Sequence, residues 1–245
     1  RAYADAASAE GLPVILQVGP GARAHMPLRV WGPMLGALAD AASVPVVIHL
    51  DHAATLDECA EAIAQGFTSV MIDGSRLPLA DNIALTARAV EMARAAGLSC
   101  EGEIGFVGYA AGAASAGTDP AEAARFARET GIDAMAVSVG NVHLMQDAGD
   151  GLDAGQLAAI AALTEVPLVI HGGSGVPLAQ RRSLARAGLV SKFNIGTELR
   201  QVFGQALRDS LAATPDVFDR VALLGAVEPA IAAAARRILR NLASD

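Results

Sequence analysis

Three histidines and one aspartate stand where this chain can do chemistry. They lie in His49-Leu50-Asp51-His52, Gly140-Asn141-Val142-His143 and Val169-Ile170-His171-Gly172-Gly173-Ser174-Gly175. Each segment directly follows a short run of β-branched or aliphatic residues, the mark of a buried strand. In a parallel α/β protein the strand ends share one face, and ligands bind there. His52, His143 and His171 can therefore converge although they are far apart along the chain. Three imidazoles with an open fourth position are what a catalytic zinc requires. A single histidine at a strand end reads more simply as a hydrogen-bonded structural residue. Here four of the chain's five histidines fall at three strand ends, and only His25, in a polar loop, is assigned nothing. Strand alternation puts His49 and Asp51 on the barrel-facing side, with His52 where the strand passes into the loop. Asp51 beside a metal ligand suits a general acid/base, because a cation keeps the carboxylate ionised and positions a reacting hydroxyl.

Two glycine-bearing turns add a second kind of chemistry. Gly172-Gly173-Ser174-Gly175 follows a strand and leads to a helix starting near Pro177, and Asn194-Ile195-Gly196-Thr197 repeats the arrangement one strand later. Such turns let backbone amides converge on an anion, and a helix N-terminus adds a favourable dipole. One glycine-rich turn means little, since tight turns need glycine anyway. Two adjacent ones beside a histidine fit the phosphate site that recurs after the last strands of an α/β barrel.

The elements that must hold these groups alternate strand and helix with a repeat of about 30 residues. Strands are expected at 14–18, 46–50, 69–72, 99–104, 134–139, 168–170 and 192–195. Thr55-Leu56-Asp57-Glu58 reads as a capping box. Asp119-Pro120 opens a further helix that Gly131 closes, and Gly97 and Gly188 end two more. Buried strands joined by helices imply a parallel sheet covered on both faces. The expected fold is α/β, a (β/α)₈ TIM barrel whose first strand precedes residue 1, because residues 1–9 read as helix and an opened barrel would expose two edges. Beyond about residue 201 only helices are expected, the last over 226–242.

The 245 residues, 53% of them hydrophobic, can bury a large core and are expected to form a single domain over 1–245. A net charge of −8 argues against a nucleic-acid partner, which needs a basic patch, but not against a small phosphorylated substrate. No apolar run approaches the roughly 18 residues of a membrane span, and no signal peptide opens the chain. Cys59 and Cys100 have no metal or redox spacing, so a cytoplasmic protein with reduced thiols is expected.

With these residues in view, the chain resembles the zinc-dependent class II ketose-bisphosphate aldolases, the fructose- and tagatose-bisphosphate aldolase family, from about Pro13 to Arg200. The resemblance implies Asp51 as the catalytic acid/base and His52, His143 and His171 as the Zn²⁺ ligands. It also implies a possible second divalent or monovalent cation at Asp73 of Ser69-Val70-Met71-Ile72-Asp73-Gly74-Ser75 and Glu103 of Glu101-Gly102-Glu103-Ile104-Gly105. By the same resemblance, Gly172, Gly173, Ser174, Asn194, Ile195, Gly196 and Thr197 would bind dihydroxyacetone phosphate, with Asn194 helping to hold the enediolate. The implied activity is reversible aldol cleavage of a ketose 1-phosphate or 1,6-bisphosphate. The family's dimers and tetramers imply a homo-oligomer.

The chain departs from the family pattern twice. The stretch 107–117, where the family carries an acidic proton-transfer loop, has no carboxylate, and Leu144 stands where the family commonly has glycine after its zinc histidine. The first departure motivates a different reading, a phosphosugar-binding member without catalysis. Lys192, the only lysine, motivates another, a Schiff-base aldolase, although such an enzyme has no use for three histidines around a metal.

Overall fold

The computed structural model describes residues 1–147 and 149–243, and in it the seven expected runs pair in chain order into one parallel sheet. The strands are β1 (Val14–Val18), β2 (Val46–Ala53), β3 (Ser69–Ile72), β4 (Ser99–Ile104), β5 (Ala134–Val137), β6 (Leu168–Ile170) and β7 (Lys192–Phe193). Parallel neighbours need crossover connections, and helices supply them. α2 (Pro20–His25) and α3 (Leu28–Ala41) join β1 to β2; α4 (Leu56–Ala64), α5 (Leu79–Ala95), α6 (Pro120–Thr130), α7 (Ala154–Ala161) and α8 (Leu178–Arg186) join the later pairs. α1 (Ala2–Glu10) precedes β1, and α9 (Thr197–Ala213) and α10 (Arg220–Leu242) follow β7.

Local chemistry sets the boundaries. Thr55 Oγ1 accepts from Glu58 N at 3.2 Å, while Glu58 Oε2 reaches back to Ala54 N at 2.6 Å, one residue before the cap. Asp119 accepts from the amides of Ala121 and Glu122, both at 2.9 Å, and Gly131 leaves α6 at φ 67. β2 runs three residues further than the apolar pattern implied, and α10 starts at Arg220 because Asp219 caps Val221 and Ala222. Pro229 lies inside α10.

The sheet is rolled. Strands in a flat sheet lie about 4.8 Å apart, so β2 and β7, five steps apart in the order, would be separated by about 24 Å. Instead Lys192 Nζ lies 3.4 Å from His49 Nε2, and Asn194 Nδ2, just past β7, lies 3.3 Å from Asp51 Oδ1. α1 and α10 pack together outside, where the Glu10 carboxylate receives Arg236 and Arg240. Among the described residues β1 pairs only with β2 and β7 only with β6.

The two faces of the rolled sheet differ. Outward residues such as Leu50, Val70, Ile72, Met135 and Ile170 form one apolar layer with Cys59, Val90, Phe126, Leu157 and Ile160 of the helices. Full burial of Leu50 or Ile72 contributes roughly 1.5–3 kcal/mol each. The pleat turns residue 102 outward between two inward glutamates, and glycine fits there because a Cβ would meet Thr86 Cγ2 at 2.9 Å and Phe126 Cζ at 3.0 Å. The inner face carries the buried polar groups His49, Ser69, Glu101, Glu103 and His171. Cys59 and Cys100 are free and buried. Among the described residues no helix is long and apolar enough to cross a membrane.

Candidate active site

Asp51 and His52 are consecutive, and in a regular strand they would point to opposite faces. β2 avoids this with a bulge. Leu50 pairs with Val70 but Ala53 pairs with Ile72, so β2 holds one extra residue. His52 lies in the left-handed region at φ 52, which costs a residue with a Cβ about 1–2 kcal/mol. Bulges re-aim side chains, and this one brings both Asp51 and His52 to the inner rim.

There His52 meets His143 and His171. The ring centroids are 5.4 Å apart for His52 and His143, 4.6 Å for His52 and His171, and 5.7 Å for His143 and His171. One ring nitrogen from each lies within 4.8 Å of the others, and His52, Asp73 and Glu103 form a second group within the same limit. His52 Nδ1 lies 2.7 Å from Asp73 Oδ2, and Asp73 Oδ1 accepts from Ser75 N at 3.0 Å and Ser75 Oγ at 2.7 Å. A His52 that donates from Nδ1 keeps its Nε2 lone pair for a ligand.

His171 supplies a direct test of whether the residues fit a cation. Its Nε2 is hydrogen-bonded to Glu101 Oε1 at 2.9 Å. Its Nδ1 lies 3.2 Å from Glu103 Oε2, but the two are not aligned for a hydrogen bond, and both atoms are buried without a partner. Buried polar atoms are seldom left so. A nitrogen and a carboxylate oxygen orphaned side by side are suited to sharing a positive ion. Burial would lower the His171 pKa, but its contacts with Glu101 and Glu103 outweigh that and raise it to about 10. Burial and the neighbouring imidazoles take His143 down to about 4. Burial also opposes charge on His52, yet its hydrogen bond to the Asp73 carboxylate raises its pKa, and burial of Asp73 is overridden by His52, which holds that carboxyl below its usual range.

Beneath the cluster runs a polar network through the rolled sheet. Lys192 Nζ donates to Glu101 Oε2 at 2.7 Å, His49 Nδ1 lies 2.9 Å from Ser69 Oγ, and Ser99 Oγ donates to Ser69 Oγ at 2.9 Å. Burial, aided by the Lys192 charge, takes His49 down to about 4. Glu101 is held well below its usual range against burial, chiefly by Lys192 and then His171. Lys192 thus pins one Glu101 oxygen while the other orients His171. An ammonium committed to a buried carboxylate lacks the free lone pair that a Schiff base needs.

Asp51 Oδ1 receives Asn194 Nδ2 at 3.3 Å, and Asn194 Oδ1 is buried without a partner. The two glycine-bearing loops touch one another. Gly172 has φ 64, and a Cβ there would meet Val142 O at 2.3 Å; Gly173 N donates to Asn194 O at 3.0 Å. Ser174 Oγ accepts from Glu198 N at 3.2 Å, in the first turn of α9, whose N-cap is Gly196. The amides of Gly173 and Gly175 are therefore committed within the protein, the second to Gly172 O at 3.0 Å. The amide cradle expected at Gly173 is in part a packing junction, and the α9 N-terminus at Thr197 supplies the dipole.

The carboxylate-free stretch packs on the same rim. Phe106 bridges to Ala116 and Tyr109 to His143, with His143 N donating to Gly108 O at 2.8 Å. The Tyr109 ring stacks on His143 at 4.9 Å and 27°. Leu144 has φ 61 and is 52% exposed, so its bulk points outward and its left-handed backbone is what bears on His143. His25 is exposed in the last turn of α2 and belongs to neither of the two metal-competent groups among the described residues.

Reasoning from sequence overlooked Asn141, which donates to Val137 O at 3.1 Å and His171 O at 3.0 Å and accepts from Val139 N at 2.8 Å. A polar residue inside Gly140-Asn141-Val142-His143 was the available signal. It also overlooked Arg23, Tyr109 and the orienting role of Glu101, of which only Glu101 had a signal, sharing the parity of Glu103.

A rolled parallel α/β sheet with imidazoles and carboxylates converging at its carboxyl rim defines a barrel-like protein with a candidate metal centre. The chain belongs to the class II fructose-bisphosphate aldolase family, whose profile matches residues 1–245. It is 38% identical over 252 residues to a fructose-bisphosphate aldolase of Geobacillus stearothermophilus, covering 100% of this chain and 88% of that one. To a fructose-bisphosphate aldolase of Staphylococcus aureus it is 37% identical, covering 94% and 83%. The crystal structure of the YdjI aldolase from Escherichia coli K12 superposes with a TM-score of 0.86 at 30% identity, over 100% of this chain and 86% of that one. The chain is an aldolase, a carbon–carbon lyase, of a family that is metal-dependent and acts on phosphorylated sugars.

Proposed function

We propose that this aldolase cleaves a ketose 1-phosphate or 1,6-bisphosphate reversibly between C3 and C4, giving dihydroxyacetone phosphate and an aldehyde. The observation that carries the reading is the convergence of His52, His143 and His171 on one rim beside Asp51, with His171 Nδ1 orphaned. Zn²⁺ fits the all-imidazole set, and when bound it supplies Lewis-acid stabilisation of the charge on the triose half. Asp51 takes the C4 hydroxyl proton as the C3–C4 bond breaks and the electron pair of that bond passes into the enediolate. The enediolate takes a proton at C3 from a water molecule to give dihydroxyacetone phosphate, since residues 107–117 offer no carboxyl to deliver it. In condensation Asp51 returns the hydroxyl proton. Asn194 holds Asp51 with its amide nitrogen and offers its unpartnered oxygen to a hydroxyl of the triose half. Gly172 to Ser174 and Asn194 to Thr197 fix the C1 phosphate at the start of α9, converting binding into orientation. Asp73 and Glu103 would hold a second divalent or monovalent cation.

The finer fold reading accompanies this one. An eighth strand between β1 and β7 would complete a (β/α)₈ barrel, supported by the approach of β7 to β2 and by the unpaired edges that would otherwise remain. Residues 1–245 act as one domain, as a homo-oligomer, dimer or tetramer, in the cytoplasm, where the buried thiols of Cys59 and Cys100 stay reduced.

The test is turnover on a panel of ketose 1-phosphates and 1,6-bisphosphates after metal reconstitution. Cleavage that stops with a chelator, returns with Zn²⁺ and survives borohydride in the presence of substrate supports the reading. Tight binding of the same sugars without turnover favours a phosphosugar-binding protein instead.

A further inference from the structure

The bulge in β2 raises a question that the catalytic residues do not answer. A bulge removes carbonyls from the regular ladder, and here the left-handed His52 needs its peptide groups held. Arg23, in the short helix α2 after β1, does this. Its Nη1 donates to Asp51 O at 2.7 Å and to Val18 O at 3.2 Å, and its Nη2 donates to His52 O at 3.0 Å and to Glu58 Oε1 at 3.3 Å. The side chain is only 12% exposed. The other Glu58 oxygen accepts from Ala54 N, so Arg23 and Glu58 together bracket the residues from Asp51 to Ala54. Asp73 N donates to Ala53 O at 2.8 Å, where the regular pairing resumes.

We propose that Arg23 is a positioning residue of the active site, its guanidinium fork fixing the Asp51 and His52 carbonyls so that two consecutive side chains face the same rim. The proposal rests on the assignment of Asp51 as acid/base and His52 as metal ligand. Arg23 touches neither side chain; it acts through the backbone between them. One planar fork reaching both carbonyls suits arginine, because a lysine ammonium lacks that geometry. The signature of the role is a joint loss, of metal affinity through His52 and of turnover through Asp51, with the phosphate loops untouched.

The experiment measures Zn²⁺ affinity by competition with a chromophoric chelator, kcat at saturating Zn²⁺, and the dissociation constant of inorganic phosphate. Arg23→Met should weaken Zn²⁺ binding about 10–100-fold, as loss of a group that orients a ligand does, and lower kcat by a similar factor. Phosphate affinity should be unchanged and Arg23→Lys intermediate. Glu10→Gln, which loosens the fold at α1 and α10, controls for general destabilisation and should leave Zn²⁺ affinity alone. Wild-type Zn²⁺ affinity and kcat in a folded Arg23→Met variant would overturn the proposal, as would an equal loss of affinity in Glu10→Gln. If methionine prevents folding, Arg23→Lys carries the same test, and wild-type behaviour there overturns the idea. Asp51→Asn and His52→Ala run alongside. If they behave as wild type, the active-site reading fails; if they lose function while Arg23→Met does not, only the positioning role fails.

Discussion

Asn194 and Asp51, 143 residues apart in sequence, share a hydrogen bond of 3.3 Å between Nδ2 and Oδ1. It spans the rolled sheet from the end of β7 to the bulge in β2, and it leaves the side-chain oxygen Oδ1 of Asn194 buried and unpartnered. Asp51→Asn should keep Zn²⁺ affinity and lower kcat about 10²–10⁴-fold, the usual weight of a general acid/base. Near-normal turnover in steady-state assays would remove Asp51 from the mechanism.

Gly173 is where the two loops proposed to bind phosphate meet. A Cβ there would lie 2.9 Å from Ile195 Cδ1 and 3.2 Å from Asn194 O. Gly173→Val should force the loops apart, raising the dissociation constant of dihydroxyacetone phosphate by at least about 10-fold, equivalent to about 1.4 kcal/mol. Calorimetric titration that finds wild-type affinity would remove these loops from the phosphate site.

Lys192 and Glu101 form a buried ion pair at 2.7 Å. Lys192→Met strands the Glu101 charge in the sheet interior and should cost about 3–5 kcal/mol in urea unfolding. A loss of under about 1 kcal/mol would mean that His49 and His171 compensate Glu101 without the lysine.

Glu10 ties α1 to α10. Hydrogen bonds from Arg240 and Arg236 lower its pKa to about 2, below the roughly 4.3 of an unfolded glutamate. A depressed carboxyl contributes stability above the unfolded value and loses it as pH falls through the folded one. The melting-temperature gap between wild type and Glu10→Gln should therefore be widest near neutral pH and close between about pH 4 and pH 2. A gap independent of pH in thermal scans would show that charge is not what binds these helices.

Much of the fold was legible because strand and crossover helix recur with clear punctuation. Thr55, Asp119 and Gly131 each do in the structure what their residue types imply. The convergence of three histidines was legible because strand ends share a rim. The bulge was not: His52 is an ordinary residue in a glycine-like conformation, and nothing in His49-Leu50-Asp51-His52 announces a φ of 52. Arg23 was illegible for a related reason, since its contacts are to backbone carbonyls 28 and 29 residues away. The commitment of the Gly173 amide to Asn194 O was also hidden, because a glycine-rich turn looks the same whether its amides face an anion or a neighbouring loop.

Lys192 has one more consequence, and it concerns measurement. As the only lysine of the sequence, with a side chain 10% exposed, it carries the chain's one side-chain amine. Amine-reactive reagents will meet a largely shielded lysine, so the rate at which it is labelled follows how often the sheet interior opens. Labelling rates read by mass spectrometry, with and without Zn²⁺, would turn the residue into a built-in clock for breathing motions beneath the catalytic rim.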